Sequence, residues 1–440
     1  GDSPYQSFSA VAGNTHFIDL DFLIRDKFLT KADVKDADFG SDPEFIDYAK
    51  VYEARRPILE KAVKAILADK KEAKKFEAFK TKNANWLADY AEFMAIKEHF
   101  DNKALQEWDD KKAVKRDKAT LEKLRKELAE VITYHEVVQY LFFSQWAELK
   151  AYANENGIQI IGDMPIYISA DSVEVWTQPH LFKLDAECKP RYIAGVPPDN
   201  FSATGQLWGN PIYAWDKHKA ENYAWWVFRI QESFKLYDYL RIDHFKGFSD
   251  FWEIPGGDDK TAENGEWVPG PGYDLFKVVK KELGDLNIIA EDLGNIDDKT
   301  RQLLADCGYP GMKIVQFGFY DTTGNSIDIP HVYTQHSVAY TGTHDNEVIN
   351  GWYDNLTQEQ RDYTDAYINR RQGEPITRAL LRTLFATVSN TAIATMQDIL
   401  DKPENSRTNF PNTVGENWKW RMLPGEITVD KKEFLTDITE

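Results

Sequence analysis

The 440-residue sequence has few cysteines, few basic residues and no long apolar run. Two cysteines, Cys188 and Cys307, are too few for a disulfide framework or a thiolate metal site, and they favour a reducing, cytoplasmic location. The 53 Lys and Arg are outnumbered by 72 Asp and Glu, and the resulting net charge of -19 excludes nucleic acid as a partner. No apolar run approaches the ~18 residues of a membrane-spanning helix, so we expect no membrane partner.

Spacings typical of metal and cofactor sites are also missing. No two histidines follow the His-x-x-x-His spacing, and no glycine-rich loop ends in Gly-Lys-Ser or Gly-Lys-Thr. We therefore expect no catalytic metal and no cofactor. The glycine-rich segment GGDDKTAENGEWVPGPG, residues 256–272, is interpreted as a surface loop.

Aromatic residues, by contrast, are abundant. The 13 Trp and 21 Tyr side chains combine a flat apolar face with a polar edge, which suits the packing of sugar rings as well as an ordinary core.

The residue pattern changes near residue 150. Residues 1–25 are rich in Gly, Ser and Pro, and residues 1–42 are predicted to be a loop segment leading out of the missing second barrel strand. From 43 to 150, apolar residues recur every three or four positions, which predicts an inserted helical subdomain. Residues 151–440 alternate short apolar runs with helical stretches, which predicts the remainder of a catalytic domain with a parallel sheet.

Six apolar runs define this sheet, and five of them carry a carboxylate or histidine at or just past their C-terminal end: Asp163, Asp243, Glu291, Asp345 with His344, and Asp398. The runs are 158–167, 239–245, 287–294, 313–320, 338–346 and 390–399. In a (β/α)8 TIM barrel that end of the strands forms the active-site face. Because a barrel needs eight strands, we expect a TIM barrel with inserted helical subdomains whose two N-terminal strands are missing from this chain.

Three acids on successive runs, Asp243, Glu291 and Asp345, suggest glycosidic-bond chemistry. Cleavage with retention needs a nucleophilic carboxylate and a protonated carboxyl about 5–5.5 Å apart. Arg241 lies two residues before Asp243, on the same side of the strand, so we expect it to pair with Asp243 and lower its pKa. Glu291 has to keep its proton, so we expect a less cationic, better desolvated setting for it. Since a lone aspartate at a strand end is more often a helix cap, the hypothesis depends on the combination.

Longer motifs in the same order point to one family. RIDHF, AEDLG and THDN are accompanied by IGDMPIYISADSVEVW (161–176), AGVPPDNFSATGQLWGNPIY (194–213), YPGMKIVQF (309–317) and the opening GDSPYQSFSAVAGN. These segments closely resemble the 4-α-glucanotransferase family, that is, amylomaltase or disproportionating enzyme, from residue 1 to about 425. The resemblance implies that Asp243 is the nucleophile, Glu291 the acid/base and Asp345 the stabiliser of the transition state. It also implies sugar-binding roles for Tyr5, Asp163, Gln206, Trp208, Arg241 and His344, and two further strands before residue 1.

Transfer differs from hydrolysis only in what attacks the glycosyl-enzyme intermediate. A transferase needs an acceptor cleft, for which Tyr5, Phe201 and Trp208 are stacking candidates, while His244 is a candidate hydrogen-bond partner for a sugar hydroxyl. We therefore predict a 4-α-glucanotransferase that moves α-1,4-glucan segments between maltooligosaccharides by a retaining double displacement. Two alternatives stay open: an α-glucan hydrolase of the amylase type, and an inactive glucan-binding fragment. The sequence gives no prediction of oligomeric state.

Overall fold

The computed structural model describes residues 2–198, 202–257, 260–294, 296–411 and 413–440. The chain divides into two compact units. The larger unit comprises Pro4–Phe39 and Tyr48–Ile288, and the smaller unit comprises Gly1–Ser3, Gly40–Asp47 and Ile289–Glu440. The three-part division at residues 42 and 150 stays a prediction.

The N-terminal part of the larger unit is helical. Its α-helices are α1 Leu20–Arg25, α2 Lys31–Val34, α3 Tyr48–Ala68, α4 Lys70–Lys82, α5 Leu87–His99, α6 Lys111–Val114, α7 Lys118–Glu127 and α8 Ala129–Glu155. Acidic residues begin several of them: the Asp69 carboxylate accepts from the first backbone N–H groups of α4, and Asp117 caps α7 in the same way. The segment after residue 43, where helical periodicity was predicted, is largely helical, and two short α-helices lie in the segment predicted as loop.

These helices pack through apolar stripes. On α3 the buried positions are Ile58, Leu59, Ala62, Val63 and Ile66, which recur at helical spacing. They share one core with the buried α8 residues Val137, Val138 and Leu141. Helix α8 is thereby fixed in the larger unit, and one of its buried polar residues, Gln139, reaches the N-terminal segment.

Ten strands occur in the described residues. They are β1 Ile161–Met164, β2 Tyr192–Val196, β3 Gln206–Pro211, β4 Tyr239–Ile242, β5 Asp250–Pro255, β6 Glu266–Pro269, β7 Ile288–Ala290, β8 Gly311–Ile314, β9 Ser337–Tyr340 and β10 Thr391–Ile393. Five of the six predicted runs contain a strand or most of one, and these predictions are confirmed. The run 313–320 overlaps β8 only at Lys313 and Ile314, and its remainder, Val315–Phe319, is a 3-10 helix. The apolar, buried sequence of β9 is typical of a parallel strand covered on both faces.

Hydrogen bonding groups the strands into three sheets. One sheet has the order β1-β4-β7, with β1 and β4 parallel, and another has the order β10-β9-β8, with both pairings parallel. The third sheet, β3-β2-β5-β6, is antiparallel and was not predicted. The interpretation of residues 256–272 as a plain surface loop is wrong in part, because β6 lies within it and pairs Trp267 with Trp252 of β5.

The remaining helices lie singly or in groups between the strands and after the last one. In the larger unit they are α9 Val173–Thr177, α10 Trp215–Ala220, α11 Ala224–Leu236 and α12 Tyr273–Leu283. In the smaller unit they are α13 Asp298–Cys307, α14 Ile349–Asn355, α15 Gln358–Tyr367, α16 Ile376–Phe385, α17 Met396–Leu400 and α18 Val429–Thr439. Short 3-10 helices include Pro4–Gln6 and Phe245–Phe248. The α/β class is thus confirmed. Among the described residues, no helix has both the length and the apolar character needed to cross a membrane.

Candidate active site

A buried arginine on β4 organises the site residues of the larger unit. Strands β1 and β4 run parallel with Asp163 opposite Arg241, so their side chains project to the same side of the sheet. Arg241 is 8% exposed, and its Nη1 atom lies 2.8 Å from both Oδ1 and Oδ2 of Asp163. The guanidinium therefore holds the Asp163 carboxylate through both of its oxygens.

Asp243 contacts the second terminal nitrogen of the same guanidinium. Its backbone N–H donates to the carbonyl of Met164 at 3.0 Å, which continues the β1–β4 pairing one residue past the strand. Arg241 Nη2 lies 2.9 Å from Asp243 Oδ1, so the predicted contact between the two residues is present. One buried cation thus bridges two carboxylates at the C-terminal end of adjacent strands.

Tyr5 extends this cluster from the N-terminal segment. Its hydroxyl donates to Asp163 Oδ2 at 2.5 Å. Burial raises the pKa of Tyr5 strongly, the negative charges of Asp163 and Asp243 raise it further, and Arg241 opposes them. The hydroxyl is consequently protonated at neutral pH and acts as a donor to the carboxylate.

Aromatic and polar groups lie beside Asp243. Gln206 and Trp208 project from β3, and Trp208 Nε1 donates to Gln206 Oε1 at 3.0 Å. The Trp208 ring meets His244 edge-on, with 4.8 Å between ring centroids. Burial, with a smaller contribution from Lys246, lowers the pKa of His244 to about 4. The imidazole is therefore neutral at pH 7 and offers one donor and one acceptor.

The structure brings together seven of the predicted site residues in the larger unit. Contacts or chain adjacency connect Tyr5, Asp163, Gln206, Trp208, Arg241, Asp243 and His244. A flat ring, a neutral imidazole and paired carboxylates in one cluster are chemically suited to binding and polarising a sugar. Phe201, the remaining candidate in this region, lies outside the described residues.

In the smaller unit, Asp345 follows β9 and is held from several sides. Asn409 Nδ2 donates to Asp345 Oδ1 at 2.6 Å, and Arg407 Nη2 donates to the Asp345 carbonyl at 2.6 Å. The Asp345 N–H donates to Thr343 Oγ1 at 3.2 Å, and His344 Nε2 lies 3.2 Å from Asp345 Oδ2. The Asp345 carboxylate is thus contacted by Asn409 and His344, while Arg407 and Thr343 hold its backbone.

Three of these supporting residues were missed by the sequence reasoning. Arg407 and Asn409 lie in an irregular segment, as does Trp418, whose ring centroid is 5.2 Å from that of His344. The Asn409 N–H also donates to the His344 carbonyl at 3.0 Å. No periodicity or motif marks this segment, so only the fold reveals that it supports Asp345.

Glu291 follows β7, as predicted, and its Oε1 atom accepts from the Leu293 N–H at 2.8 Å. The neighbouring Asp292 instead accepts from the Met312 N–H at 2.6 Å, and burial raises the pKa of its carboxyl group. The adjacent acids are therefore distinct: Asp292 is tied to the backbone of β8. The desolvated setting of Glu291 and its separation from Asp243 stay predictions.

Asp398, the acid associated with the sixth run, is not at the end of a strand. It lies inside α17, is 2% exposed, and accepts from the Ile349 N–H at 2.8 Å and the Thr395 hydroxyl at 2.7 Å. These bonds explain it as an anchor between helices.

Comparison with known proteins agrees with this arrangement. A family model described as 4-alpha-glucanotransferase matches residues 1–427. The 4-alpha-glucanotransferase of Streptococcus pneumoniae is 54% identical over 440 residues, covering 100% of this chain and 86% of the relative, and that of Thermus thermophilus is 40% identical, covering 100% and 88%. The solved amylomaltase from Streptococcus agalactiae in complex with acarbose is 61% identical with a TM-score of 0.98, covering 100% of this chain and 88% of that one. The chain therefore belongs to the 4-alpha-glucanotransferase family of glucan-transferring enzymes.

Proposed function

We propose that this chain moves α-1,4-glucan segments between maltooligosaccharides by a retaining double displacement. Asp243 attacks the anomeric carbon, the bond to the departing glucan breaks, and Glu291 gives its proton to the leaving 4-oxygen. A glucosyl ester on Asp243 results. The 4-hydroxyl of an acceptor then attacks the same carbon, Glu291 takes back the proton, and the ester bond breaks to restore Asp243.

The contact between Arg241 and Asp243 is the observation that best supports this assignment. A nucleophilic carboxylate has to be ionised and held in one orientation. Arg241 Nη2 at 2.9 Å provides a positive charge and a fixed donor, and Asp163 in turn fixes the guanidinium. By this proposal Arg241 aims the nucleophile, while Tyr5 and Asp163 keep Arg241 in place.

The other roles follow from chemical type. Asp345, held by Asn409, stabilises the positive charge that develops on the sugar ring. The substrate-binding residues are Tyr5, Asp163, Phe201, Gln206, Trp208, Arg241, His244 and His344. Since the Streptococcus agalactiae amylomaltase is solved with acarbose, we propose that acarbose also binds this chain and inhibits transfer.

The test is incubation with maltotriose, followed by separation of the products by length. Wild type should give glucose together with a ladder of longer oligomers, and Asp243→Asn should abolish both. The matched control is Asp238→Asn, because Asp238 stands just before the same strand and accepts from the Ile160 N–H at 2.8 Å; this variant should retain the ladder. Glucose and maltose alone would favour the hydrolase, and no reaction from a folded wild type would favour the binding fragment.

Two structural expectations complete the proposal. We propose that the six strands found at the predicted runs belong to a (β/α)8 barrel with an inserted helical subdomain at 43–150, supported by the parallel pairings and the strand–helix alternation. An experimental structure showing an open sheet would contradict this. We also propose a cytoplasmic location, which rests on the low cysteine content and is tested by cell fractionation.

A further inference from the structure

The segment that follows Tyr5 is held by a buried carboxyl group from α9. Glu174 is 6% exposed, and its Oε1 atom accepts from the Ala10 N–H at 2.8 Å and from the Ser9 hydroxyl at 3.2 Å. The Ser9 oxygen itself accepts from the Val11 and Ala12 N–H groups, each at 3.1 Å. The whole turn from Ser9 to Ala12 is therefore organised around one carboxyl oxygen.

A second buried side chain fixes the far end of the same segment. Gln139 of α8 is 0% exposed, accepts from the Gly13 N–H at 2.8 Å and donates to the Gly13 carbonyl at 2.9 Å. A Cβ atom at residue 13 would stand 1.9 Å from the Phe142 ring, so the backbone lies directly against α8. With this end fixed, Glu174 is one of the contacts that set the path of the chain between Gly13 and Tyr5. Another is the Val173 N–H, which donates to the Phe8 carbonyl at 2.9 Å.

A glutamate at position 174 is unfavourable for stability if its side chain only fills space in the core. Its second oxygen, Oε2, is buried without a hydrogen-bond partner among the described residues. Burial raises the pKa of Glu174, against the opposing hydrogen bond from the Ala10 N–H. A buried polar atom without a partner lowers stability, and an apolar side chain of the same size avoids that loss. A role in placing Ser9 and Ala10 accounts for a carboxyl group here.

Tyr5 connects this anchor to the nucleophile. It lies four residues before Ser9, and its hydroxyl is the donor to Asp163, which shares Arg241 with Asp243. We propose that Glu174 is a positioning residue for glucan transfer: by holding Ser9 and Ala10 it keeps the Tyr5 hydroxyl on Asp163. This inference rests on the proposed function, because Glu174 acts through the Asp243 cluster and does not itself contact the substrate.

A double-mutant cycle on the full chain tests the coupling. The cycle compares Glu174→Ala, Tyr5→Phe and the double variant, with kcat and KM measured for maltotriose. Either single variant displaces or removes the hydrogen bond from the Tyr5 hydroxyl to Asp163, so kcat should fall about tenfold in each. In the Tyr5→Phe background, Glu174→Ala should lower kcat by less than about twofold, because the two changes break one chain of contacts.

Conservative and control variants separate positioning from stability. Glu174→Gln keeps an oxygen that can accept both hydrogen bonds and should retain kcat within about threefold. Glu136→Ala is the control, since Glu136 is also 6% exposed and its ion-pair partner, at 2.8 Å, is Lys80 of α4. It should lower the midpoint of thermal unfolding and leave kcat unchanged. If Glu174→Ala does not fold, Ser9→Ala replaces it in the cycle, with the same expected non-additivity.

Two results would overturn the inference. One is an unchanged kcat in Glu174→Ala, and the other is a full multiplication of the Glu174→Ala and Tyr5→Phe effects in the double variant. Either result, obtained while wild type transfers glucan and Asp243→Asn does not, removes only the role of Glu174. Failure of wild type to transfer glucan, or persistence of transfer in Asp243→Asn, removes the proposed function itself.

Discussion

Replacing Arg241 tests whether one buried cation orients both Asp163 and Asp243 for the reaction. Arg241→Met removes the Nη1 contacts with Asp163 and the Nη2 contact with Asp243, and leaves two carboxylates with no shared counter-charge. Arg241→Lys keeps the charge, but one ammonium group lacks the planar fork that reaches both partners. The expected order of activity is therefore wild type, then Arg241→Lys, then Arg241→Met.

The size of the effect follows from the contacts and their exposure. A hydrogen bond to a charged group contributes about 1.5–3 kcal/mol. The side chains of Asp163 and Asp243 are 33% and 26% exposed, so solvent screening places both contacts at the lower end of that range. Arg241→Met should therefore lose about 3–4 kcal/mol of transition-state stabilisation, a fall in kcat/KM of about 10²–10³. Arg241→Lys, which loses one contact, should fall about 10- to 30-fold.

The assay is the initial rate of glucose release from maltotriose, together with thermal unfolding of each variant. Arg56→Met is the matched control, because Arg56 also bridges two carboxylates, Glu60 at 2.8 Å and Glu98 at 2.6 Å, within the helical region. It should lower the unfolding midpoint while leaving kcat/KM within about twofold. The reasoning would be refuted if Arg241→Met kept kcat/KM within threefold of wild type. It would also be refuted if Arg241→Met and Arg56→Met lost the same fraction of activity.

Two further predictions concern Asn409 and His218. Asn409→Ala removes the donor at 2.6 Å from Asp345 and should lower kcat/KM about tenfold. Asn350→Ala breaks a similar contact, with Asp401 at 3.1 Å, and should leave kcat/KM unchanged. Equal losses in the two variants would contradict the role of Asn409. Burial lowers the pKa of His218, a residue only 1% exposed, to about 4, so the unfolded chain binds its proton near pH 6.5 and the folded chain does not. The free energy of unfolding should fall by about 2 kcal/mol from this residue between pH 7 and pH 5, as measured by urea denaturation, and His218→Gln should reduce that pH dependence.

Local sequence carried enough information to predict the contact between Arg241 and Asp243. Arg241 and Asp243 are two residues apart at the end of an apolar run, and the period of two in a strand places them on one side. The same period accounts for their contact in the structure. Asp163 was assigned from the family resemblance, and its contact with Arg241 depends on the register between β1 and β4, which no single run specifies.

The antiparallel sheet was missed because its strands lack a clear local signal. Strand β3, QLWGNP, contains glycine and proline, and β6, EWVP, is only four residues long inside a glycine-rich segment. Both residue types are rare in strand interiors, so propensity argues against these strands. Pairing with β2 and β5 overrides that preference, and such pairing is a property of the folded chain.

The charges at the end of β4 have a common electrostatic explanation. A buried guanidinium needs compensation, and Arg241 finds it in Asp163 and Asp243. Two carboxylates against one cation leave one negative charge in excess, and the protonated Tyr5 hydroxyl adds a donor without adding charge. Glycosyl transfer passes through an oxocarbenium-like transition state whose sugar ring becomes positive. In the mechanism we propose, a fixed cluster with excess negative charge, held by backbone pairing before substrate binds, stabilises that positive charge without reorganising during the reaction. Without Arg241 the cluster would hold more negative charge but would lose the Nη2 contact that orients Asp243, so we expect orientation as well as charge to determine the rate.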